Sequence, residues 1–391
     1  MADISVARRI RRWIGGTLCQ RSTEQGGQRP IRQSTTQNGS NRDRPQRLGD
    51  TTDTDRAQLI LITGLTLAVL LVAVVLLLNT VIYTENLATR GVDAGGTDAA
   101  EFRASTGADV GEMIDRANRD EGATVEFVIG VVETYRDQVR DHRLQDGTVV
   151  DVVPDEGSAV TGWYVAQDRL GNDTDPEYRT FTADDEAGTD GANWTLATNV
   201  TATRGYGLTI DADSVSELDA AANETFEEDA YTLQVTGTDG SSWSLYVYRT
   251  DSDSNVTVTV AGESVESRTV EPVTDDAGIN VVQVDITDGT VNGAGWSALR
   301  WAEGVEDGST AYAIAYEHGD RIAGTYELTI KEAGTTDVIG SDDRYGTDPS
   351  NTSASPYALD AVYGMEVTVR QHTPTLRFED RLWVAPGERH A

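Results

Sequence analysis

Asparagines followed two residues on by Ser or Thr, with no Pro between, stand at Asn172, Asn193, Asn199, Asn223, Asn255 and Asn351. The side-chain amide of such an asparagine accepts an N-linked glycan when the segment that carries it is exported. Asn193 and Asn199 lie close together and Asn255 opens a strand, so not all are expected to be used. Catalytic patterns are incomplete. Gly295-Trp296-Ser297-Ala298 ends in Leu299, where a nucleophile elbow needs Gly. Asp251, Asp253 and Asn255 occupy the first three ligand positions of a calcium loop, but Val256 replaces the turn Gly and Gly262 the bidentate Glu. Glu317, His318 and Asp320 could line a metal-holding turn, although a solvated hairpin is the simpler reading. His142, His318, His372 and His390 are far apart, and there is no P-loop and no paired His on a helix. No catalytic, cofactor-binding or metal-binding residue is therefore assigned.

The segments that carry these residues belong in two environments. Residues 1–56 hold eleven Arg and six acidic residues, net +5, whereas the remaining 20 basic and 59 acidic residues give residues 57–391 a net charge of -39. Lys331 is the only lysine, and the acids are dispersed rather than gathered in a tail. Such a surface repels itself in dilute buffer and is screened at 1 M salt, where the Debye length is about 3 Å. It would also repel nucleic-acid phosphates, so no nucleic-acid partner is expected. The low Lys, the many Asp and Thr and the low pI resemble proteins of extremely halophilic archaea. Cys19 is the lone cysteine, which leaves packing rather than disulfides to hold the chain together.

Between the two environments, Leu59 to Leu78 reads LILITGLTLAVLLVAVVLLL, without a charge. At about 1.5 Å per residue it is roughly 30 Å long as a helix, the thickness of a bilayer's hydrocarbon core. Arg42, Arg44, Arg47 and Arg56 precede it, and Glu85, Asp93, Asp98 and Glu101 follow with only Arg90 opposing. That asymmetry predicts a single pass through the lipid bilayer with the N-terminus cytoplasmic. Residues 1–56 read as a disordered basic cytoplasmic segment or leader, 57–83 as the transmembrane helix, 84–147 as a juxtamembrane helical region and 148–391 as an acidic β-rich extracellular domain.

Asp55-Arg56-Ala57-Gln58, leading directly into the apolar run, resembles the processing site of archaeal type IV pilin-type signal peptides. The wider stretch RAQLILITGLTLAVLLVAVVLLLNTVIYTENLATRG is similar to that of uncharacterised haloarchaeal pilin-like surface proteins. The resemblance implies a cut between Arg56 and Ala57, with the apolar helix kept to anchor or polymerise. The leader is longer than is usual in that family, and no Glu stands near the start of the mature helix. Gly91 to Gly96, GVDAGG, is expected to interrupt the rod that pilins continue into the head. An uncleaved signal anchor fits the same residues.

Past the anchor, Asp98 with Glu101 reads as a helix cap, followed by Val110, Met113, Ile114 and Ala117 on one face. A second helix is expected through Val128, Val131, Val132, Tyr135 and Val139, ending near Gly147. The period then changes to two. Strands are expected over Tyr231 to Val235, Trp243 to Tyr248, Val256 to Val260, Val281 to Ile286, Tyr312 to Glu317, Thr325 to Ile330, Met365 to Arg370 and Thr375 to Val384. The fold expected is mainly β: one transmembrane helix, a short helical pair and an antiparallel β-sandwich-like ectodomain. A turn is expected at Asp251-Ser252-Asp253-Ser254 and a surface loop over 340–356. The functional expectation is a non-enzymatic, glycosylated, membrane-anchored surface protein, a pilin-like or adhesion component that meets other envelope or pilus-like proteins. The alternative is an exported glycosidase-like hydrolase using a carboxylate pair on the β-domain.

Overall fold

The computed structural model describes residues 51–120, 122–172, 175–184, 190–219, 224–250, 254–305, 310–332, 339, 344–347 and 356–388; within these, side chains are not described for 51–62, 76–95, 170–172, 175–176, 184, 190 and 332. Two compact units are distinguished, Met1–Ala100 with Pro374–Leu376 and Glu101–Thr373 with Arg377–Ala391. The expected turn at 251–254 and loop at 340–356 fall largely outside the described residues.

One helix, α1, spans Thr51–Asp120, and a second, α2, spans Val125–Gln145. The apolar run Leu59 to Leu78 is helical throughout. Among the described residues no helix is long and apolar enough to cross a membrane; of the apolar run, side chains are described over 63–75. Two expectations are corrected. The helix does not begin at Asp98, and it is not interrupted at Gly91 to Gly96. Each interior Gly costs about 1 kcal/mol relative to Ala, but breaking a helix forfeits several backbone hydrogen bonds and requires a new nucleus.

Past residue 100 the apolar spacing of α1 acts as expected, with Val110, Met113, Ile114 and Ala117 buried, and Phe102 is buried beside them. In α2 the Thr124 side chain caps the Phe127 N–H at 3.2 Å, and Val128, Val131, Val132 and Tyr135 are buried. Gly147, at φ +75°, turns the chain out of α2.

The chain after Gly147 is a mainly antiparallel β structure. Its longer strands are β1 (Val149–Pro154), β2 (Val160–Gln167), β3 (Trp194–Asp211), β4 (Tyr231–Gly237), β5 (Ser242–Thr250), β6 (Val256–Ala261), β7 (Val265–Val270), β8 (Asn280–Asp285), β9 (Tyr312–Glu317), β10 (Ala323–Glu332), β11 (Tyr357–His372) and β12 (Arg377–Val384). One arm runs β7-β6-β5-β4-β9-β3. The other runs β8-β3-β10-β2-β11, with β1 and β12 also paired to β11. The long β3 joins the two arms. It carries Asn199 at φ +58° and Gly205 at φ +60°, with register shifts against β9 and β10. Inward side chains of both arms form one core, in which Leu208, Ile210, Val282 and Val284 share a cluster with Leu233, Leu245, Val256, Val258 and Trp243.

The helices meet this structure at a bulge in β11. Opposite β2, Val160 pairs with Gly364 and Thr161 with Val362, which leaves Tyr363 as the extra residue. Asn118 of α1, buried to 1 % exposure, donates Nδ2 to the Val362 carbonyl and accepts the Val362 N–H, both at 3.0 Å. The Ala123 N–H donates to the Asp360 carbonyl at 2.7 Å, and a Cβ on Gly122 would sit 3.1 Å from that oxygen. The turn between the helices thus closes backbone groups that would otherwise form an open strand edge.

Arg204 of β3, 1 % exposed, completes the joint. Its Nε donates to the Tyr363 carbonyl at 2.6 Å, Nη2 to Val362 O at 3.1 Å, and Nη1 to Asp115 Oδ1 at 2.5 Å and Pro386 O at 2.8 Å. Replacing Asn118 by Ala leaves the buried Val362 N–H without this partner, while the Val362 carbonyl keeps the bond from Arg204 Nη2, so the cost is about 1–3 kcal/mol for the one orphaned group. Chemical denaturation of N118A is expected to show this loss, and a change below about 0.5 kcal/mol would mean that water replaces the amide at the bulge.

Candidate functional site

β3 lies between β8 and β10 over a stretch in which the three registers coincide. Asp285, Gly207 and Glu327 are directly opposite one another, as are Gln283, Thr209 and Thr325. Directly opposed residues share a face, and side chains alternate along each strand, so these six lie on one face. Val284, Leu208 and Tyr326 point the other way into the core. Because Gly207 has no side chain, the middle of the first row is open, and a Cβ built there would meet nothing within 4 Å. The result is a polar trough of about 390 Å³, with Asp168, just beyond β2, among its lining residues.

The three carboxylates are positioned by hydrogen bonds. Tyr357 donates its hydroxyl to Asp168 Oδ2 at 2.9 Å. Glu327 accepts from the Tyr164 hydroxyl at 2.8 Å and from Arg119 Nη2 at 3.0 Å, one bond to each oxygen. Asp285 Oδ1 accepts the Asp288 N–H at 2.9 Å and the Thr287 hydroxyl at 3.3 Å. Burial, and then the adjoining carboxylates, push the Tyr164 and Tyr357 phenols above their ordinary pKa, which keeps both as donors. Burial also raises the Asp285 carboxyl, partly offset by the Asp288 N–H. The trough therefore offers acceptors to hydroxyl, amine or cationic donors, with Thr209, Thr325 and Gln283 as neutral partners. Among the described residues no group of three His, Cys, Asp or Glu is placed to hold a metal ion.

None of the residues singled out from sequence lies in this trough. Asn193 is exposed just before β3, and its Oδ1 accepts the His318 N–H at 2.7 Å. Asn199 is half-buried within β3, and Asn255, also half-buried, precedes β6. Asn172 ends a three-residue strand and its side chain is not described, while Asn223 and Asn351 fall outside the described residues. The backbone of Arg56 and Ala57 is within α1. Glu317 ends β9, and His318, at φ +53° and with its Nδ1 3.2 Å from the Ala230 carbonyl, precedes a short 3-10 segment, Gly319–Arg321, that holds Asp320. Leu299, in place of the elbow Gly, is buried at 1 % exposure. His390 and the first two acidic positions of the calcium-like loop are outside the described residues. Asp168, Asp285 and Glu327 come from distant segments, and the only local signal for the trough is an isolated Gly207 within the alternating run Tyr206 to Ile210.

Because the folded-state pKa of Asp285 is raised, this group favours the fold only while protonated, and its contribution is lost as pH rises through that value. Asp285→Asn keeps an acceptor for both bonds and removes the charge. Its thermal midpoint is expected above that of the parent at pH 7, the gap closing below about pH 4, where an ordinary Asp is protonated in both states. A gap that persists unchanged at pH 3 would assign the effect to packing instead. In comparison with known proteins, the profile of a family of unknown function (DUF7261) matches residues 53–176, a span that takes in α1 from its third residue, α2, β1 and β2. No curated protein and no solved structure matches the chain.

Proposed function

We propose that this chain is a membrane-anchored cell-surface protein, held by the apolar run Leu59 to Leu78, with a cytoplasmic N-terminus and an exported, sandwich-like β-domain. In this reading it is a glycosylated, non-enzymatic component of the envelope of a halophilic archaeon, pilin-like or adhesive. The observation that carries the proposal is the exposure of the helix: Leu65, Leu67, Val69, Leu70, Leu71, Val72, Val74 and Val75 are each 54–62 % exposed. At 100° per residue, Val69 to Val72 alone point around most of the helix circumference, so no single protein face could cover them. Withholding that many aliphatic side chains from an apolar medium costs on the order of 10 kcal/mol, at about 1.5–3 kcal/mol each. A bilayer supplies the medium on all sides.

Two further observations support the pilin-like form. α1 runs unbroken through Gly91 to Gly96, where an interruption would have separated anchor from head. The family profile begins at residue 53 and extends into the β structure, treating the apolar helix and the start of the β-domain as one unit. The partners that follow from this reading are the lipid bilayer and other envelope or pilus-like proteins.

A glycosidase-like hydrolase is the second reading, because Asp285 and Glu327 flank the open floor at Gly207. A binding role fits the local bonding better, since both Glu327 oxygens already serve Arg119 and Tyr164. Glycan hydrolysis by the purified protein that is lost in Glu327→Gln would establish the enzyme instead.

The anchor is tested in the native host. The protein is expected in the membrane pellet after alkaline carbonate extraction, with external protease removing the β-domain from intact cells. Recovery in the carbonate supernatant would overturn the proposal. Intact mass of the same material distinguishes a chain starting at Ala57 from an uncleaved anchor and reports glycans on the asparagine acceptors.

A further inference from the structure

The asparagine acceptors differ in how the fold presents them. Of the three whose side chains are described, Asn193 is exposed, whereas Asn199 and Asn255 are half-buried. Asn193 precedes β3 where the chain is held to the turn after β9 by two consecutive bonds. The Gly319 N–H donates to the Ala192 carbonyl at 2.8 Å, and the His318 N–H donates to Asn193 Oδ1 at 2.7 Å. The next residue, Trp194, is buried and donates its indole Nε1 to the Phe181 carbonyl at 2.8 Å. A backbone N–H only donates, so the atom of the Asn193 amide that faces His318 is its oxygen. The planar amide then carries Nδ2, the atom that a glycan would modify, on the side away from this bond.

The hydroxyls that complete the three acceptor patterns differ as well. Thr257, two residues after Asn255, is 6 % exposed and shares a hydroxyl–hydroxyl bond of 3.0 Å with Thr269 of β7. Thr201, two residues after Asn199, donates to the Lys331 carbonyl at 3.2 Å, and Asn199 itself lies within β3 at φ +58°. Thr195, two residues after Asn193, is half-buried near the start of β3, opposite Ala315 of β9.

We infer that Asn193 is a glycan attachment site and that Asn199 and Asn255 stay unmodified, an inference that rests on the exported placement of the β-domain proposed above. The transfer joins Nδ2 to the anomeric carbon of a sugar delivered as a glycosyl phosphate. The anomeric carbon–oxygen bond breaks, the phosphate leaves with the electron pair, and Nδ2 gives up one of its two protons. The product keeps the amide oxygen, so the bond from the His318 N–H survives the modification. Whatever the stage at which the sugar is added, its hydroxyls must lie in water once the strands have closed. Asn193 meets that condition, whereas at Asn199 and Asn255 a sugar would have to displace the residues packed over a half-buried amide.

Glycopeptide mass spectrometry on the full-length protein from membranes of its native host tests this, with external protease applied in parallel to intact and to opened cells. A glycan is expected on the Asn193 peptide and none on those of Asn199 and Asn255. Thr195→Val keeps the shape of the side chain and the Asn193 amide but removes the hydroxyl of the acceptor pattern, and is expected to lower the intact mass by one glycan; Thr195→Ser is expected to retain it. A bare Asn193 peptide, or a glycan on Asn199 or Asn255, in protein whose β-domain is cut on intact cells overturns the inference and leaves the surface placement standing. A β-domain cut only after the cells are opened overturns the placement itself, and the inference with it.

Discussion

A guanidinium buried to 1 % exposure is tolerable only where hydrogen bonds and an opposite charge replace the water it has lost. Arg204 meets that condition at one place in this fold, and the surrounding elements are arranged around it. The bulge at Tyr363 turns backbone carbonyls of β11 away from the strand ladder, Asp115 brings the charge from α1, and the chain after β12 folds back to present the Pro386 carbonyl. The same fold-back is fastened by Glu388, which accepts from the Tyr363 hydroxyl at 3.1 Å and from Trp383 Nε1 at 2.8 Å. Replacing the whole constellation with apolar side chains could be neutral for stability, whereas removing one member leaves a buried charge or carbonyl exposed to nothing. The joint therefore specifies which strand, helix and tail come together more than it adds to the net free energy of folding.

Sequence patterning revealed much of the β structure but little of this joint. Strands such as Trp243 to Tyr248 and Tyr312 to Glu317 were readable because their alternation is uninterrupted and Gly, Asp, Asn or Ser bounds them. β3 was not readable. It is eighteen residues long, contains Asn199 and Gly205 at positive φ, and carries the polar run Thr201 to Arg204, features that in a sequence resemble a loop. Its length follows from its task, since one strand must pair with β9 and β8 at different points while β10 follows it along the other side. The trough was hidden for a related reason. Its opposed residues are adjacent only through strand register, and register between segments more than seventy residues apart leaves no local trace.

Charge has a different distribution from packing. The ion pairs Arg103–Asp380, Arg119–Glu327, Arg300–Glu303 and Arg370 with Asp151 and Glu379 join side chains that are each more than a third exposed. Exposed pairs of this kind contribute about 0–1 kcal/mol each. With 20 basic residues against 59 acidic ones beyond residue 56, most carboxylates have no cation to meet. Their mutual repulsion is lowered by dissolved salt rather than by other residues of the chain. The trough is part of this acidic excess, but its carboxylates are also held in fixed directions by Tyr164, Tyr357 and Arg119.

The solvent proposed for each part of α1 is written in the angular distribution of its apolar side chains. Over residues 101–120 they repeat at three- and four-residue intervals and only that stripe is buried, the pattern of a helix with protein on one side and water on the other. Over residues 65–75 they occur at nearly every position and every one of the large ones is exposed, a pattern that water penalises all around the circumference. The β structure encloses Trp243, Tyr231, Tyr316 and Phe181 in its core and leaves exposed only scattered large apolar side chains such as Val149, Val265, Val273 and Trp383 among the described residues. The proposed anchor draws its support from this contrast between a β core that encloses most of its large side chains and a helix that displays Leu and Val on every side. Under the proposed anchor, the uncharged run between the Arg-bearing N-terminal segment and the acidic remainder would be the boundary between the two media.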